Sequence, residues 1–266
     1  MTASETAASF AALHAGPQPF LLPNAWDVAS ALMLEDAGFP AIGTTSLGIT
    51  AAEGLPDGAG AGLDATLVLV EALSRRLSVP LTVDLEGGYS DDPNEVAALA
   101  TRLWDLGVAG INLEDGRGDG DLRPAEAHAA VVAAVVRAVP GLFINARTDT
   151  WWLGVGPVEQ RLDETVRRVR AYADAGASGV FVPGLPDLGA VRAVASAVDK
   201  PLNVLWQPGL DLNEVAAAGA VRLSTGSALY RHSLGQAVRV AEWARDGIRP
   251  DSPAVDYAAL QRRLAR

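Results

Sequence analysis

Short apolar runs alternate with longer amphipathic stretches along the whole chain. In the stretch 158–175, apolar residues recur at spacings of three and four, which is the period of a helix with one buried face. The short apolar runs lack this period and are rich in strand-forming residues, so they are predicted strands. These predicted strands are residues 20–26, 41–46, 81–86, 110–115, 143–149, 179–184, 201–206 and 220–226.

The regular alternation of strand and helix predicts a parallel sheet, because a helical crossover returns the chain to a parallel neighbour. Eight such units within 266 residues favour an α/β fold of the closed (β/α)8 type, the TIM barrel. An open doubly wound sheet is the alternative, but "LPNAWDVAS" lacks the glycine-rich phosphate turn that this fold needs after its first strand. Four predicted helices end in a glycine that suits a left-handed cap, in "EDAGFPAIG", "DLGVAGINL", "DAGASGVFV" and "AAGAVRLS".

No linker or low-complexity segment interrupts this pattern, so we expect one barrel domain over residues 1–266. Extra helices are predicted at about 227–266, in the segments 227–247 and 251–266. These extra helices could provide the surface for a contact between subunits of an oligomer. In this architecture the chemistry lies at the C-terminal ends of the strands, so functional residues are expected there.

The charge and the scarce residue types narrow the possible functions. A net charge of −11 and a pI near 4.7 argue against nucleic acid or an anionic membrane as partner, since both would repel this surface. The N-terminus does not read as a signal peptide and no apolar run is long enough to span a bilayer, so we expect a cytoplasmic protein. There is no cysteine and only three histidines, and the one lysine, Lys200, precedes a strand at the barrel bottom. Thiolate chemistry, histidine-rich metal sites and a Schiff-base lysine are thereby excluded.

Acidic residues follow two neighbouring strands. Asp84 and Glu86 are alternate residues at the end of the strand 81–86 and are expected to share a face, with Glu114 about 4.8 Å away on the next strand. Three carboxylates with no lysine nearby are costly unless a cation binds them, and an all-oxygen set favours Mg²⁺ or Mn²⁺. The alternative is that each acid is solvated and caps the next helix.

Arg147 lies near the end of the fifth predicted strand, in "FINARTD". An arginine directed into an acidic pocket suits the binding of a substrate carboxylate or phosphoryl group. The alternative is an ion pair with Asp149 or Glu114, and the two roles are compatible.

Five motifs occur in order over about residues 18–235. They are "LPNAWDVASALMLEDAGFPAIGTTS", "GLPD", "VDLEGGY", "GINLED" and "ARTD". In these motifs the chain resembles the isocitrate lyase / phosphoenolpyruvate mutase superfamily. The resemblance implies a (β/α)8 barrel, often with the eighth helix exchanged between the subunits of a dimer or tetramer. It also implies Mg²⁺ that holds a 2-oxo acid and stabilises its enolate.

Carried over by motif, the resemblance implies that Asp84 contacts the metal directly or through water. Glu86 and Glu114 would complete the metal shell mostly through water, although the family usually has aspartate where Glu86 stands. Asp57, in "GLPD", would approach metal-bound water and substrate, and Arg147 would lie beside the substrate's carboxylate or phosphoryl group.

The same resemblance implies further substrate contacts. Thr45 and Ser46, in "TTS", fall where the family holds the substrate carboxylate with backbone N–H and hydroxyl groups. Trp26 and Asp27 correspond to the end of the first strand. The alternative for these two is that Trp26 packs and Asp27 caps the following helix.

The loop after the fourth strand departs from the family. The lyases carry Lys-Lys-Cys-Gly-His there, with a cysteine that exchanges a proton with the enolate, and the mutases have lysine and asparagine. This chain has "GRGDGDLRP", in which Arg117 and Arg123 are candidates for substrate binding when the loop closes, or alternatively solvated charges. Isocitrate or 2-methylisocitrate cleavage by the usual mechanism is therefore not expected.

These observations favour a Mg²⁺-dependent lyase on a small 2-oxo acid, acting through an enolate by decarboxylation or C–C cleavage. One alternative is a phosphoenolpyruvate or phosphonopyruvate mutase, or a P–C hydrolase. Another is a non-catalytic protein that binds a metal and an oxo acid.

Overall fold

Parallel strands alternate with helices throughout the computed structural model, which describes residues 2–16, 18–58, 60–249 and 254–265. The strands are β1 (Phe20–Leu22), β2 (Asn24–Ala25), β3 (Ile42–Thr44), β4 (Leu81–Asp84), β5 (Gly110–Glu114), β6 (Phe143–Arg147), β7 (Gly179–Val182), β8 (Leu202–Leu205) and β9 (Ala220–Ser224). The helices are α1 (Ala3–Ala15), α2 (Val28–Asp36), α3 (Ser46–Ala52), α4 (Leu63–Ser74), α5 (Pro93–Asp105), α6 (Ala125–Ala138), α7 (Val158–Asp174), α8 (Leu188–Ala195), α9 (Leu212–Ala217), α10 (Ala228–Asp246) and α11 (Tyr257–Leu264).

The sheet closes on itself through the first predicted strand, which Pro23 divides into β1 and β2. The half before Pro23 pairs with β9 and the half after it pairs with β3, so the strand order is β1-β9-β8-β7-β6-β5-β4-β3-β2 with every pair parallel. Proline has no N–H to donate to a ladder, which explains the break. The predicted (β/α)8 barrel is confirmed.

The strands begin near the predicted residues and end one or more residues earlier than predicted. Gly38, Gly107, Gly176 and Gly219 all have positive φ angles, between +87° and +98°. The predicted left-handed turns from helix to strand are therefore confirmed at all four sites. A residue with a Cβ would be strained there.

Helix α1 covers the N-terminal end of the barrel. Phe10 and His14 are buried and contact residues at the starts of strands, with the His14 ring stacked on Phe143 at 4.0 Å and edge-on to Phe20 at 4.9 Å. The candidate functional site therefore lies at the opposite end of the barrel, where the strands terminate.

The two C-terminal helices lie within the segment predicted to be helical, although residues 250–253 and 266 are outside the described residues. Leu234, Val238 and Val240 on α10 are exposed apolar side chains. Helix α11 returns to the barrel, where Arg263 pairs with Glu35 and with Asp36 at the end of α2. Exchange of a helix between subunits, the oligomeric state and the single-domain organisation stay predictions. Among the described helices, none has the length and apolar character that crossing a bilayer requires.

Candidate active site

Asp84 is the last residue of β4, and only one of its carboxylate oxygens has a partner. Oδ2 accepts hydrogen bonds from the backbone N–H of Ser46 at 3.2 Å and from its hydroxyl at 2.9 Å. Oδ1 is buried and accepts no hydrogen bond from any described residue. A buried carboxylate oxygen without a donor is costly, so this atom is suited to a bound cation.

Glu86 lies two residues beyond the end of β4 and has a left-handed backbone with φ +49°. Strand alternation therefore does not extend to Glu86, and the reasoning that placed it on the same face as Asp84 is wrong in this respect. Its Oε2 accepts a hydrogen bond from the Gly60 N–H at 3.2 Å, while Oε1 is buried and has no partner among the described residues. Burial raises the pKa of Glu86 against the lowering effect of the Gly60 hydrogen bond.

Glu114 is level with Arg147 across the β5–β6 ladder, and the two side chains form an ion pair at 2.7 Å. Arg147 also donates two hydrogen bonds to Asp149, at 2.6 Å and 3.1 Å. Both ion pairs that the sequence left open are therefore present. Burial raises the pKa of Glu114 well above its usual value despite Arg147. Burial lowers the pKa of Arg147, but Asp149 and Glu114 outweigh this effect and keep the guanidinium charged.

The predicted metal ligands do not converge on one point as a direct ligand set. Within the described part of the chain, no group of three or more His, Cys, Asp or Glu side chains is arranged to hold a metal ion. The free oxygens of Asp84 and Glu86 fit a cation that takes few ligands from the protein and the rest from water, which is common for Mg²⁺. The residues present therefore fit Mg²⁺ better than an ion that takes all of its ligands from the protein.

One cavity is lined by Asp84 and Arg147 and also by Thr45, Ser46 and Asp57. Ser46 opens α3 and Thr45 precedes it without making a side-chain cap. Asp57 is an exposed residue of the loop between α3 and α4. Partial burial of its carboxylate raises the pKa of Asp57, and the nearby charge of Asp84 acts in the same direction.

Trp26 and Asp27 have structural roles in this conformation. The Trp26 ring meets the Tyr230 ring edge-on at 5.4 Å. Asp27 caps α2 by accepting a hydrogen bond from the Ser30 N–H at 2.7 Å. Neither is among the residues that line the cavity beside Asp84. Both alternatives given for them are observed, and contact with substrate stays an untested prediction.

The two arginines of the loop that follows β5 differ from each other. Arg123 is buried and donates to the carbonyl groups of Gly87 and Ser90 and to Asp91 at 3.0 Å. It therefore supports the turn after β4, and the alternative of a solvated charge is wrong for it. Arg117 is more exposed and pairs with Asp91 at 3.4 Å. It also lines the outer part of the site, where a substrate contact stays a prediction.

Two adjoining cavities, of about 60 and 210 Å³, occupy this end of the barrel. Both are lined by Ser46, Asp57, Arg147 and Trp152, and a third cavity of about 320 Å³, with Glu86 in its wall, adjoins the larger of the two. Ten residues that line the inner cavity were not singled out from the sequence, and these are Asn24, Leu47, Asn112, Trp152, Phe181, Pro183, Leu205, Ser224, Gly226 and Ser227. Asn24, Asn112 and Ser224 could have been found from the sequence, because each is a polar residue inside a largely apolar strand, as in "GINLED".

A closed barrel with an acidic, oxygen-rich cavity and a paired arginine at the C-terminal ends of its strands is the arrangement of a (β/α)8-barrel enzyme. The chain matches the family model described as phosphoenolpyruvate phosphomutase over residues 10–244. It belongs to this family, and so to the isocitrate lyase / phosphoenolpyruvate mutase superfamily, as the motifs predicted. The comparisons support its assignment as a C–C lyase of that superfamily.

Similar proteins cover most of the chain. An uncharacterized protein of Mycobacterium tuberculosis H37Rv is 42% identical over 96% of both chains. The 2-methylisocitrate lyase of Bacillus subtilis is 31% identical over 74% of this chain and 66% of its own length. A solved structure from Burkholderia cenocepacia J2315, provisionally assigned as a lyase or mutase, is 34% identical with a TM-score of 0.88, over 99% of this chain and 97% of that one.

Proposed function

We propose that the chain is a lyase that uses Mg²⁺ or Mn²⁺ to act on a small 2-oxo acid through an enolate, by decarboxylation or C–C cleavage. One observation carries the proposal. Asp84 lines a cavity together with a charged Arg147, and its Oδ1 is buried without a donor from any described residue, as is Oε1 of Glu86 two residues further along the chain. A site with a cation and an arginine on a small cavity is suited to an anion that carries oxygens at both ends.

Asp84 would hold the metal directly, and Glu86 and Glu114 would act mostly through water. Bound Mg²⁺ supplies Lewis-acid polarisation of the substrate carbonyl and charge stabilisation of the enolate oxygen. The ion pairs of Glu114 and Asp149 fix the orientation of Arg147, so its guanidinium is held in place to bind the substrate carboxylate.

Thr45 and Ser46 would hold the substrate carboxylate from the other side of the cavity. The Ser46 N–H and hydroxyl are now directed at Asp84, so a bound ligand would share or replace this contact. After carbon dioxide or an aldehyde leaves, water protonates the enolate carbon. Asp57 lies at the mouth of the cavity and its raised pKa suits it to relay that proton.

A mutase or P–C hydrolase acting on phosphoenolpyruvate or phosphonopyruvate is the second candidate. The match to the phosphoenolpyruvate phosphomutase family model favours it. The loop after β5 does not, because it lacks the lysine and asparagine that the sequence resemblance implies for mutases.

We also propose a homo-oligomer, a dimer or tetramer, that works in the cytoplasm on a small-molecule substrate. The exposed apolar side chains of α10 support a subunit contact. The net charge of −11 supports the absence of nucleic-acid and anionic-membrane partners.

The substrate class is tested by steady-state turnover of oxaloacetate, isocitrate, 2-methylisocitrate and phosphonopyruvate with and without Mg²⁺. We expect oxaloacetate to give pyruvate and carbon dioxide only with Mg²⁺. Isocitrate and 2-methylisocitrate should be cleaved barely or not at all, because no group in "GRGDGDLRP" has the titration range of a thiol. Heat-inactivated protein with Mg²⁺ is the control for spontaneous oxaloacetate decay.

Robust isocitrate cleavage would contradict the argument from the loop. Release of phosphate, or formation of phosphoenolpyruvate, from phosphonopyruvate would favour the second candidate. Binding of Mg²⁺ and oxalate without turnover of any of these acids would favour a non-catalytic protein.

A further inference from the structure

A layer of buried polar side chains lies directly beneath the inner cavity. Asn112 on β5 is level with Asp84 on β4 and is 6% exposed. Its Oδ1 accepts a hydrogen bond from Arg222 Nη2 at 2.9 Å and another from Asn145 Nδ2 at 2.8 Å. Asn112 lines the cavity, so the layer connects the barrel interior with the site.

These two hydrogen bonds determine which way the Asn112 amide points. Both neighbours are donors, and only the amide oxygen can accept from them, so a flipped amide would place N–H groups against N–H groups. Nδ2 is therefore directed away from Arg222 and Asn145. Among the described residues, none accepts a hydrogen bond from it. Two N–H donors of a nearly buried side chain are thus left for a ligand in the cavity.

Arg222 is held in place from the opposite end of the barrel. Burial lowers its pKa to about 9, so it remains a cation at neutral pH. Its Nη1 lies 3.4 Å from His14 Nε2, and the His14 Nδ1 lies 2.9 Å from the Phe10 carbonyl. A carbonyl accepts only from a protonated Nδ1, so Nε2 is the acceptor that faces Arg222. Burial lowers the pKa of His14 to about 3, which keeps the ring neutral in this role.

We propose that Asn112 is a substrate-binding residue whose amide Nδ2 donates to an oxygen of the small 2-oxo acid or its enolate. Arg222 is the positioning residue that fixes this amide through Asn112 Oδ1, and His14 on α1 holds Arg222. The inference rests on the proposed function, since it concerns the same anion. It assigns to the N-terminal helix a role in shaping the site from the far end of the barrel.

Asn112→Asp tests the donor. The new carboxylate has the same shape and still accepts from Arg222 and Asn145, but it presents an oxygen to the cavity in place of an NH₂ group. We expect oxalate affinity at saturating Mg²⁺, measured by calorimetry, to fall about tenfold or more, because an N–H to an anion is lost and a charge repels it. Mg²⁺ affinity without oxalate should be retained, since the added carboxylate lies beside Asp84.

Asn203→Asp is the matched control, because Asn203 is equally buried on β8 and does not line the inner cavity. It should leave oxalate affinity within about twofold of wild type. An unchanged affinity in Asn112→Asp, or equal losses in both variants, would overturn the inference while leaving the proposed function intact. A wild type that binds no oxalate with Mg²⁺ would overturn the proposed function and the inference with it.

The positioning role is tested by a double-mutant cycle on oxalate affinity. Arg222→Met should weaken binding when Asn112 is present and have little further effect in an Asn112→Leu background, because Arg222 acts through that amide. Additive losses would overturn the positioning role. If Arg222→Met does not fold, the cycle is run with His14→Phe, and the Asn112→Asp result still decides whether the amide binds the ligand.

Discussion

Asp84→Asn is expected to abolish Mg²⁺ binding while leaving the fold intact. The asparagine oxygen can still accept from Ser46, so the contact between β4 and α3 remains. Its NH₂ group would then occupy the place of Oδ1, the atom that accepts from no described residue in the wild type, and would repel a cation. At a Mg²⁺ concentration about 100 times the Kd, the wild type should gain about 2.7 kcal/mol in the free energy of unfolding. The variant should gain nothing.

Thermal unfolding with and without Mg²⁺ measures this difference. Asp92→Asn is the control, because Asp92 follows the same strand but caps α5 in the exposed part of the turn, and asparagine caps a helix equally well. It should respond to Mg²⁺ as the wild type does. A Mg²⁺-dependent shift that survives in Asp84→Asn would place the metal elsewhere.

Arg147→Lys is expected to lower kcat/KM by about 10²- to 10³-fold, the usual cost of losing one oriented donor to a developing anion. Lysine keeps the positive charge but lacks the planar fork that pairs with Glu114 and Asp149 at once. The remaining ammonium would be drawn toward these carboxylates and away from the substrate. The lysine variant is preferable to alanine, which would leave two buried carboxylates without a partner and cost about 3–5 kcal/mol of stability.

Steady-state turnover of oxaloacetate by wild type and variant checks this result. Arg75→Lys serves as the control, because Arg75 is exposed on the outer helix layer and pairs with Glu71, far from the site in the barrel. Its kcat/KM should equal that of the wild type. Oxaloacetate decay that does not depend on Arg147 would contradict the decarboxylase proposal.

The fold could be predicted almost completely from the sequence because its signals are local and repeated. A helix with one buried face and a strand buried on both faces have different periods, and glycines such as Gly107 and Gly219 mark the same turn in each unit. The divided first strand was not predicted. Pro23 was visible in the sequence, but the fact that each half pairs with a different neighbour follows only from closure of the barrel.

The positions of several candidate site residues could be predicted, but the geometry around them could not. Asp84, Glu114 and Arg147 lie where the strand ends place them. The turn that gives Glu86 a left-handed backbone could not be foreseen, because non-glycine residues rarely adopt it. Arg123 was assigned to the substrate from its loop position, yet its contacts with Gly87 and Ser90 arise from packing between two loops that are distant in sequence.

Polar residues inside strands were the signal that the sequence analysis passed over. Asn112, Asn145 and Asn203 each stand in an apolar strand, and the structure places them in one region of the barrel interior with Arg222. Such residues are buried only when they are hydrogen-bonded, so their recurrence in successive strands was evidence of a shared polar layer. Which of them reaches the cavity depends on the register between strands, which the sequence does not specify.

In the proposed function, Asp84 and its neighbours hold a divalent cation that binds a small 2-oxo acid together with Arg147. A crystal grown with Mn²⁺ and oxalate, measured at a wavelength where manganese scatters anomalously, tests it most directly. We expect one strong anomalous peak within coordination distance of a carboxylate oxygen of Asp84, with oxalate between the ion and Arg147. No peak at saturating Mn²⁺, or a peak only outside this cavity, would contradict the account.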